Sequence, residues 1–483
     1  MKCIKRITSL IMLIVLFVSI SGSAFALSAP GNLSAQAIVV ADMDTGIILY
    51  EKNMNQRRSP ASLTKIMTGL LAVEAVERGE ISYNDIITAP NNCWEGMDLD
   101  SSNIEISPGE KMTFKDYFYA AMVKSANEAC NVIAMAIDGS LQGFVNRMNL
   151  RANELGCYNT FFSDTNGLSN KNHYTTAHDL YLITAEAMKH EVFVDAVNTI
   201  DYEIEETNLH AKRYINSSNA LLCQDGLYGD GYLYLPASGV KTGYTNAAGY
   251  CLVSTASKND KNLLCVVLGC NGPLNTGDEG YGNFAGTIAL YDWAFKNFEF
   301  QTIAEKGQVM EHAQVKLSKN NKTASLRSVE SVKLLLPRDV REKDVIRDIT
   351  LYNERLTAPI KCGTLLGEMK ISIYNQEYAT IKLYTAEDIE ADAKELIIAK
   401  ADEILQNPKI RIAVIISAII LLVIIYILIH YSVEKRRHIR EIAKAEERRY
   451  AQKEWEDSIT ESLKAQKKMM EFRNENNENN ERE

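Results

Sequence analysis

Between Ile412 and Tyr431 the chain runs for about 20 residues without an Asp, Glu, Lys or Arg, and no other feature restricts its fold as much. A stretch of that length matches the hydrocarbon thickness of a bilayer. Inside hydrocarbon every backbone N–H and C=O must be satisfied within the segment, so a lone span of this kind has to be a helix. Lys409 and Arg411 flank one end, and Lys435, Arg436, Arg437, His438 and Arg440 crowd the other. The heavier basic cluster predicts a cytoplasmic tail, with everything before Lys409 outside the cell membrane. The N-terminus leads to the same orientation. Lys2, Lys5 and Arg6 precede an apolar run from Ile11 to Ile20 and then Ala24-Phe25-Ala26, which reads as a signal peptide over 1–26 cut before Leu27. An uncleaved anchor is the alternative, and its apolar run is short for a span.

The net charge of -10 argues against nucleic acid as a partner. Nine cysteines are present, and Cys3 would leave with the signal. Export permits disulfides among the rest, but their spacing shows no small-domain framework and no Cys-x-x-Cys, so buried thiols fit as well and a zinc site is not indicated.

Ala37–Ala41 and Ile47–Tyr50 about Asp44-Thr45-Gly46 form a hairpin pattern. Ser59 and Pro60 open an apolar helix ending near Gly79, with Ser59 as its expected cap. Helical patterns fill the middle of the chain, meeting at Ser125-Ala126-Asn127. After Pro236 come three strand patterns (239–244, 249–257, 263–269) and a closing helix near 281–298. Helices between strands drawn from both ends predict a mixed α/β domain over 30–298 with an antiparallel sheet. Short alternating runs at 314–317, 331–336, 368–373 and 380–383 predict a small all-β domain over 300–388. A linker helix over 391–407 leads to the span, taken as 411–431. The charged tail 432–483 ends in an Asn/Glu-rich stretch expected to be disordered.

Three motifs carry chemistry. Ser62-Leu63-Thr64-Lys65 puts a hydroxyl and an amine three residues apart on one helix face, near the helix N-terminus, where the dipole favours a developing oxyanion. The same Ser-x-x-Lys pattern at Ser238 falls in a strand, where positions three apart face opposite ways, and at Ser432 it falls at the membrane exit. Ser125-x-Asn127 is preferred over Ser101-x-Asn103 and Ser217-x-Asn219 because it sits at a break between apolar helices. Lys241-Thr242-Gly243 occurs once, followed by Tyr244 and a strand. Lys241 and Thr242 would hold a carboxylate, and Gly243 lets a peptide backbone approach.

In that order the three motifs resemble the low-molecular-weight penicillin-binding proteins, the serine-type D-alanyl-D-alanine carboxypeptidases. The resemblance extends to Arg58–Thr68, Phe144–Asn149, Asn166-Gly167-Leu168, His173-Tyr174-Thr175-Thr176-Ala177, Gly249–Val253 and Leu356–Ile360. It implies a β-lactamase/transpeptidase-like α/β domain (an antiparallel sheet with helices), then a small β domain, then the single transmembrane helix. It also implies a penicillin-sensitive enzyme that removes the terminal D-alanine from peptidoglycan stem pentapeptides. Ser62 is the implied nucleophile, Lys65 its base, Ser125 the proton relay and Asn127 the orienter. Lys241, Thr242 and Gly243 are the implied carboxylate site, and the backbone N–H groups of Ser62 and Tyr244 the oxyanion hole. No metal or cofactor is called for, stem peptides are the substrate and β-lactam antibiotics the inhibitors.

Three departures stand out. Glu128 replaces a usual Asp, Asn262 replaces an arginine taken to hold the substrate carboxylate, and the C-terminal anchor is apolar all round. Two rival readings remain at this stage. One is a serine β-lactamase, for which Glu154 is the nearest general-base candidate. The other is a non-catalytic, membrane-anchored wall-binding module.

Overall fold

The computed structural model describes residues 30–31, 33–97, 100–168, 172–223, 231–277, 280–373 and 376–479. The signal-peptide expectation over 1–26 lies outside them. The described chain forms two units. The first runs through His312 and takes in Ser325–Glu354 and Gly363–Ala386; the second comprises Ala313–Ala324, Arg355–Cys362 and everything from Glu387 on.

The first unit opens with the expected hairpin, β1 (Ala37–Asp42) and β2 (Ile48–Lys52). A helical block follows: α1 (Lys65–Glu77), α2 (Phe114–Val123), α3 (Asn127–Asp138), α4 (Leu141–Glu154), α5 (Ala177–Ala187) and α6 (Glu191–Asn198). Two small hairpins interrupt it, β3 (Ile86–Thr88) with β4 (Lys111–Thr113) and β5 (Asp201–Ile204) with β6 (Arg213–Asn216). Then come β7 (Ala237–Thr245), β8 (Gly249–Lys258), β9 (Lys261–Cys270) and the closing helix α7 (Gly282–Asn297). The sheet order is β2-β1-β9-β8-β7, antiparallel throughout, so strands from both chain ends meet at its centre and β7 is left at an edge.

Both faces of this sheet are covered, which is why its strands read as nearly continuous apolar runs. Val39, Val253 and Val266 pack toward the helical block with Ile66, Phe118 and Ile133. Val40, Leu252 and Val267 pack the other way with Phe284, Leu290 and Tyr291 of α7. Alternation along each strand therefore separates two cores rather than core from water.

After α7 the first unit continues with β10 (Phe298–Ala304), which pairs with β13 (Val332–Pro337). Strand β14 (Val345–Leu351) pairs with β16 (Leu365–Ile373), β16 with β17 (Gln376–Thr385), and β17 with β12 (Thr323–Ser328) at Leu326–Ser328. Strand β12 carries few large apolar residues, and in β14 the interior Arg347 and Asp348 interrupt the apolar pattern. In the second unit the end of β11 (Val309–Lys316) runs parallel to β15 (Leu356–Thr357), with Val315 opposite Leu356. Helix α8 (Ala393–Gln406) begins where Asp392 accepts from the Lys394 and Glu395 amides. Helix α9 (Pro408–Asn479) starts with Pro at its first position, where no N–H is needed. Its segment Pro408–Arg473 contains a stretch of mean hydropathy 3.4 with none of it buried, long and apolar enough to cross a membrane. The tail end expected to be disordered is helical as far as Asn479.

Of the described cysteines six are buried, Cys223 is half-buried and Cys362 is exposed. Lys261, only 7 % exposed, donates from Nζ to the carbonyls of Phe295 at 3.0 Å and Phe298 at 2.6 Å. It thereby satisfies carbonyls that the end of α7 leaves without helical partners. Lys261→Met should cost about 1–3 kcal/mol by stranding those groups, read as a lowered urea-unfolding midpoint with unchanged slope.

Candidate active site

The Ser62 segment does not enter α1 as an ordinary capped helix. Ala61–Thr64 form a 3-10 turn, α1 begins at Lys65, and the cap position is Pro60, which offers no side-chain bond. The expectation of a Ser59 cap is thus corrected. Proline supplies the entry, and the tight turn sets Ser62 one step before the α-helical register. Ala61 sits at φ +48°, left-handed backbone that an L-residue adopts only when its surroundings enforce it. Gly167 lies close against it, and an added Cβ there would be 1.8 Å from the Ala61 carbonyl oxygen.

Lys65 is fully buried. Its Nζ lies 3.0 Å from Ser62 Oγ, 2.6 Å from Asn127 Oδ1 and 2.9 Å from the Asn166 carbonyl. Two of these partners are carbonyl-type acceptors and take N–H bonds. As an ammonium Lys65 donates to all three; in its uncharged form two hydrogens serve the carbonyl-type acceptors and the lone pair faces the Ser62 hydroxyl. Burial pushes the Lys65 ammonium down from its usual value, against the weaker opposing pull of Cys130, Asp164 and Glu128.

The amide of Asn127 is oriented from behind, since its Nδ2 donates to the Ser102 carbonyl at 2.9 Å, leaving Oδ1 toward Lys65. Ser125, 6 % exposed and at φ +64°, occupies the break between α2 and α3. Glu128 turns away from the reacting groups. Its Oε1 accepts from the Ile104 amide at 2.7 Å and the Ile106 amide at 3.4 Å, fixing the segment that carries Ser102.

Edge strand β7 brings the third motif. Lys241 is opposite Val253 and Gly243 opposite Cys251, so both face the helical block. A Cβ on Gly243 would lie 3.2 Å from the Ser62 amide nitrogen and 3.2 Å from the Pro60 carbonyl, so β7 passes directly over the catalytic turn. Lys241 is buried, and desolvation first, then the charge of Lys65, lower its ammonium to about 7. Thr242 Oγ1 lies 2.7 Å from Ser218 Oγ. Tyr244 follows, half-buried, its ring 4.5 Å from that of Tyr250. The structure therefore gathers Ser62, Lys65, Asn127 and Gly243 by direct contact and couples Lys241 to Lys65 by charge.

Three contributors carry no role in the sequence motifs: the carbonyls of Asn166 and Ser102, and the Ser218 hydroxyl. Two of them are the middle residues of the Ser-x-Asn patterns set aside as decoys, 101–103 and 217–219. Ser238 remains a decoy on β7 opposite Thr255, whose hydroxyl donates to its carbonyl. Ser432 bonds the Leu428 carbonyl within α9.

The expectation that Asn262 stands at a carboxylate site is overturned. Asn262 Nδ2 donates to Asp44 at 3.0 and 3.2 Å, and its Oδ1 accepts from Ser257. Val266 is level with Lys241 through Val253, so Asn262 lies four residues farther along β9, about 13 Å on, two strands over. Glu154, the glutamate of the β-lactamase reading, ends α4 in an exposed ion pair with Arg151 at 3.2 Å.

A family model described as D-alanyl-D-alanine carboxypeptidase matches residues 23–272. Another, described as the C-terminal domain of penicillin-binding protein 5, matches residues 298–391. The chain is 30% identical over 390 residues to the D-alanyl-D-alanine carboxypeptidase DacF of Bacillus subtilis (strain 168), covering 80% of this chain and 95% of that protein. It is 29% identical over 346 residues to DacA of Escherichia coli (strain K12), covering 71% of this chain and 80% of that one. Among solved structures, penicillin-binding protein 5 from Haemophilus influenzae superposes with a TM-score of 0.60 at 26% identity, covering 75% of this chain and 100% of that chain.

The two buried lysines make stability depend on pH. Between about 7 and the usual lysine value of 10.5 the unfolded chain holds a proton that folded Lys241 refuses, so stability rises with pH in that window. Lys65 acts in the same sense. Below the ordinary thiol value of 9.0 the buried cysteines do not yet oppose it. The melting temperature should climb from pH 7 toward 9, and Lys241→Met should flatten that climb in a thermal-unfolding pH series.

Proposed function

The chain belongs to the D-alanyl-D-alanine carboxypeptidase family, and from that membership we propose which of its residues perform the reaction and on which side of the membrane. It is a serine-type D-alanyl-D-alanine carboxypeptidase, a penicillin-binding hydrolase of peptidoglycan. The observation that carries the residue assignment is the triple contact of Lys65 Nζ with Ser62 Oγ, Asn127 Oδ1 and the Asn166 carbonyl.

Ser62 Oγ attacks the carbonyl between the two terminal D-alanines of a stem pentapeptide, and its proton passes to Lys65. The backbone N–H groups of Ser62 and Tyr244 receive the oxyanion, each such donor being worth roughly 10²–10³ in rate. Ser125 relays a proton to the leaving amine as the C–N bond breaks, and D-alanine departs. Water then attacks the ester, returning Ser62 and the shortened peptide. The substrate enters as an added strand on the open edge of β7, with its terminal carboxylate at Lys241 and Thr242. A bound carboxylate favours the ammonium form of Lys241, while burial keeps neighbouring Lys65 neutral. A β-lactam follows the first half of this path, but its leaving group stays tethered and the ester persists.

For topology we propose α9 as one span, with the catalytic unit outside and the tail from 432 in the cytoplasm. The support is the uneven basic flanks, the N-terminal leader pattern and the extracytoplasmic location of the wall.

A fluorescent penicillin should label the wild type durably and leave Ser62→Ala dark, and mass spectrometry of a treated pentapeptide should show loss of a single alanine. Rapid penicillin turnover by the wild type would instead favour the β-lactamase reading. An impermeant maleimide on intact cells should label exposed Cys362. In a Cys362→Ala background, Lys464→Cys should label only after permeabilisation.

A further inference from the structure

We infer that His173, outside all three motifs, is a positioning residue for acylation that acts through Thr64 to aim the Ser62 backbone N–H. The inference deepens the acyl-transfer reading above and rests on it.

His173 is buried between two segments. The Ser163 amide donates to its Nδ1 at 3.1 Å. A ring nitrogen that accepts a backbone N–H carries no proton, so the imidazole is neutral with its hydrogen on Nε2. That nitrogen lies 2.8 Å from Thr64 Oγ1. Thr64 Oγ1 in turn donates to the Ala61 carbonyl at 2.8 Å. A directed chain thus runs from the Ser163 amide through His173 and Thr64 to Ala61. Burial holds the imidazole below its usual value against the opposing charge of Asp164, whose Oδ1 is 3.6 Å from Nδ1.

The end point of that chain matters most. The Ala61 C=O and the Ser62 N–H belong to one peptide plane and point in opposite directions. Fixing the carbonyl therefore fixes the N–H, a proposed oxyanion donor. Left-handed Ala61 does not hold this plane by its own preference, so an external restraint is required. The same histidine holds the base. It anchors Ser163, which begins the loop where Asp164 accepts from the Asn166 and Gly167 amides, and the Asn166 carbonyl bonds Lys65. His173 thereby joins oxyanion donor and general base in one frame.

The test uses full-length protein in detergent and measures the acylation rate with a fluorescent penicillin. Thr64→Val, close to isosteric, should lower that rate about 10- to 100-fold with the pre-acylation dissociation constant unchanged, because the oxyanion forms only in the transition state. Thr64→Ser, which restores the hydroxyl, should restore the rate. His173→Ala should lose a similar factor and add little in the Thr64→Val background, since the two act in series. Rates are compared at a temperature where both Thr64 variants are fully folded, since Thr64→Val strands the buried His173 N–H and Ala61 carbonyl. Wild-type acylation in Thr64→Val, no recovery in Thr64→Ser, or fully additive losses would overturn the inference. Labelling of Ser62→Ala in the same assay would sink the acyl-transfer reading instead.

Discussion

The site is built around one buried amine, Lys65, whose ammonium form its surroundings disfavour. Burial removes the solvation that favours the cation, and the two carbonyl oxygens at 2.6 and 2.9 Å accept hydrogen without offering a full negative charge. A carboxylate in either place would hold the proton on the amine. Glu128, next to Asn127, shows how the fold manages this. Its carboxylate is turned onto the Ile104 and Ile106 amides, where it shapes the loop behind Asn127.

That chemistry requires strained backbone, and the surrounding packing supplies it. Left-handed conformations at Ala61 and Ser125 fall on the two segments that present the hydroxyl candidates. Each such residue costs on the order of 1–3 kcal/mol. Gly167 can lie against the Ala61 carbonyl only because it has no side chain. Gly243 plays the matching part from the sheet side, letting β7 cross the Ser62 amide. Two glycines from distant parts of the sequence thus close on one turn from opposite directions.

Much of this was legible in the sequence where local chemistry writes a local signal. The β1–β2 hairpin, the three strands β7–β9 and the apolar segment of α9 follow from turn residues, apolar runs and length. The order of Ser62, Ser125 and Lys241 pointed to the family because an amine next to a hydroxyl at helical spacing is uncommon and the other motifs narrow its use. Backbone contributors were not legible. The carbonyls of Ser102 and Asn166 could belong to any residue type, and only the fold brings the first to the Asn127 side-chain amide and the second to the Lys65 amine. Asn262 shows the converse error. Its position in a strand pattern was read without the register of the sheet, which sends it to the Asp44 turn. Strands β12 and β14 went unread because few large apolar residues mark the first and Arg347 and Asp348 interrupt the second.

Helix α9 has a mechanical consequence. At 1.5 Å per residue the portion from Ser432 to Asn479 forms a rod roughly 70 Å long, far exceeding the Debye length of about 8 Å in physiological salt. Its base, crowded with Lys435, Arg436 and Arg437, and its distal tip are electrostatically independent. A molecule gripping the tip would feel nothing of the basic cluster at the base.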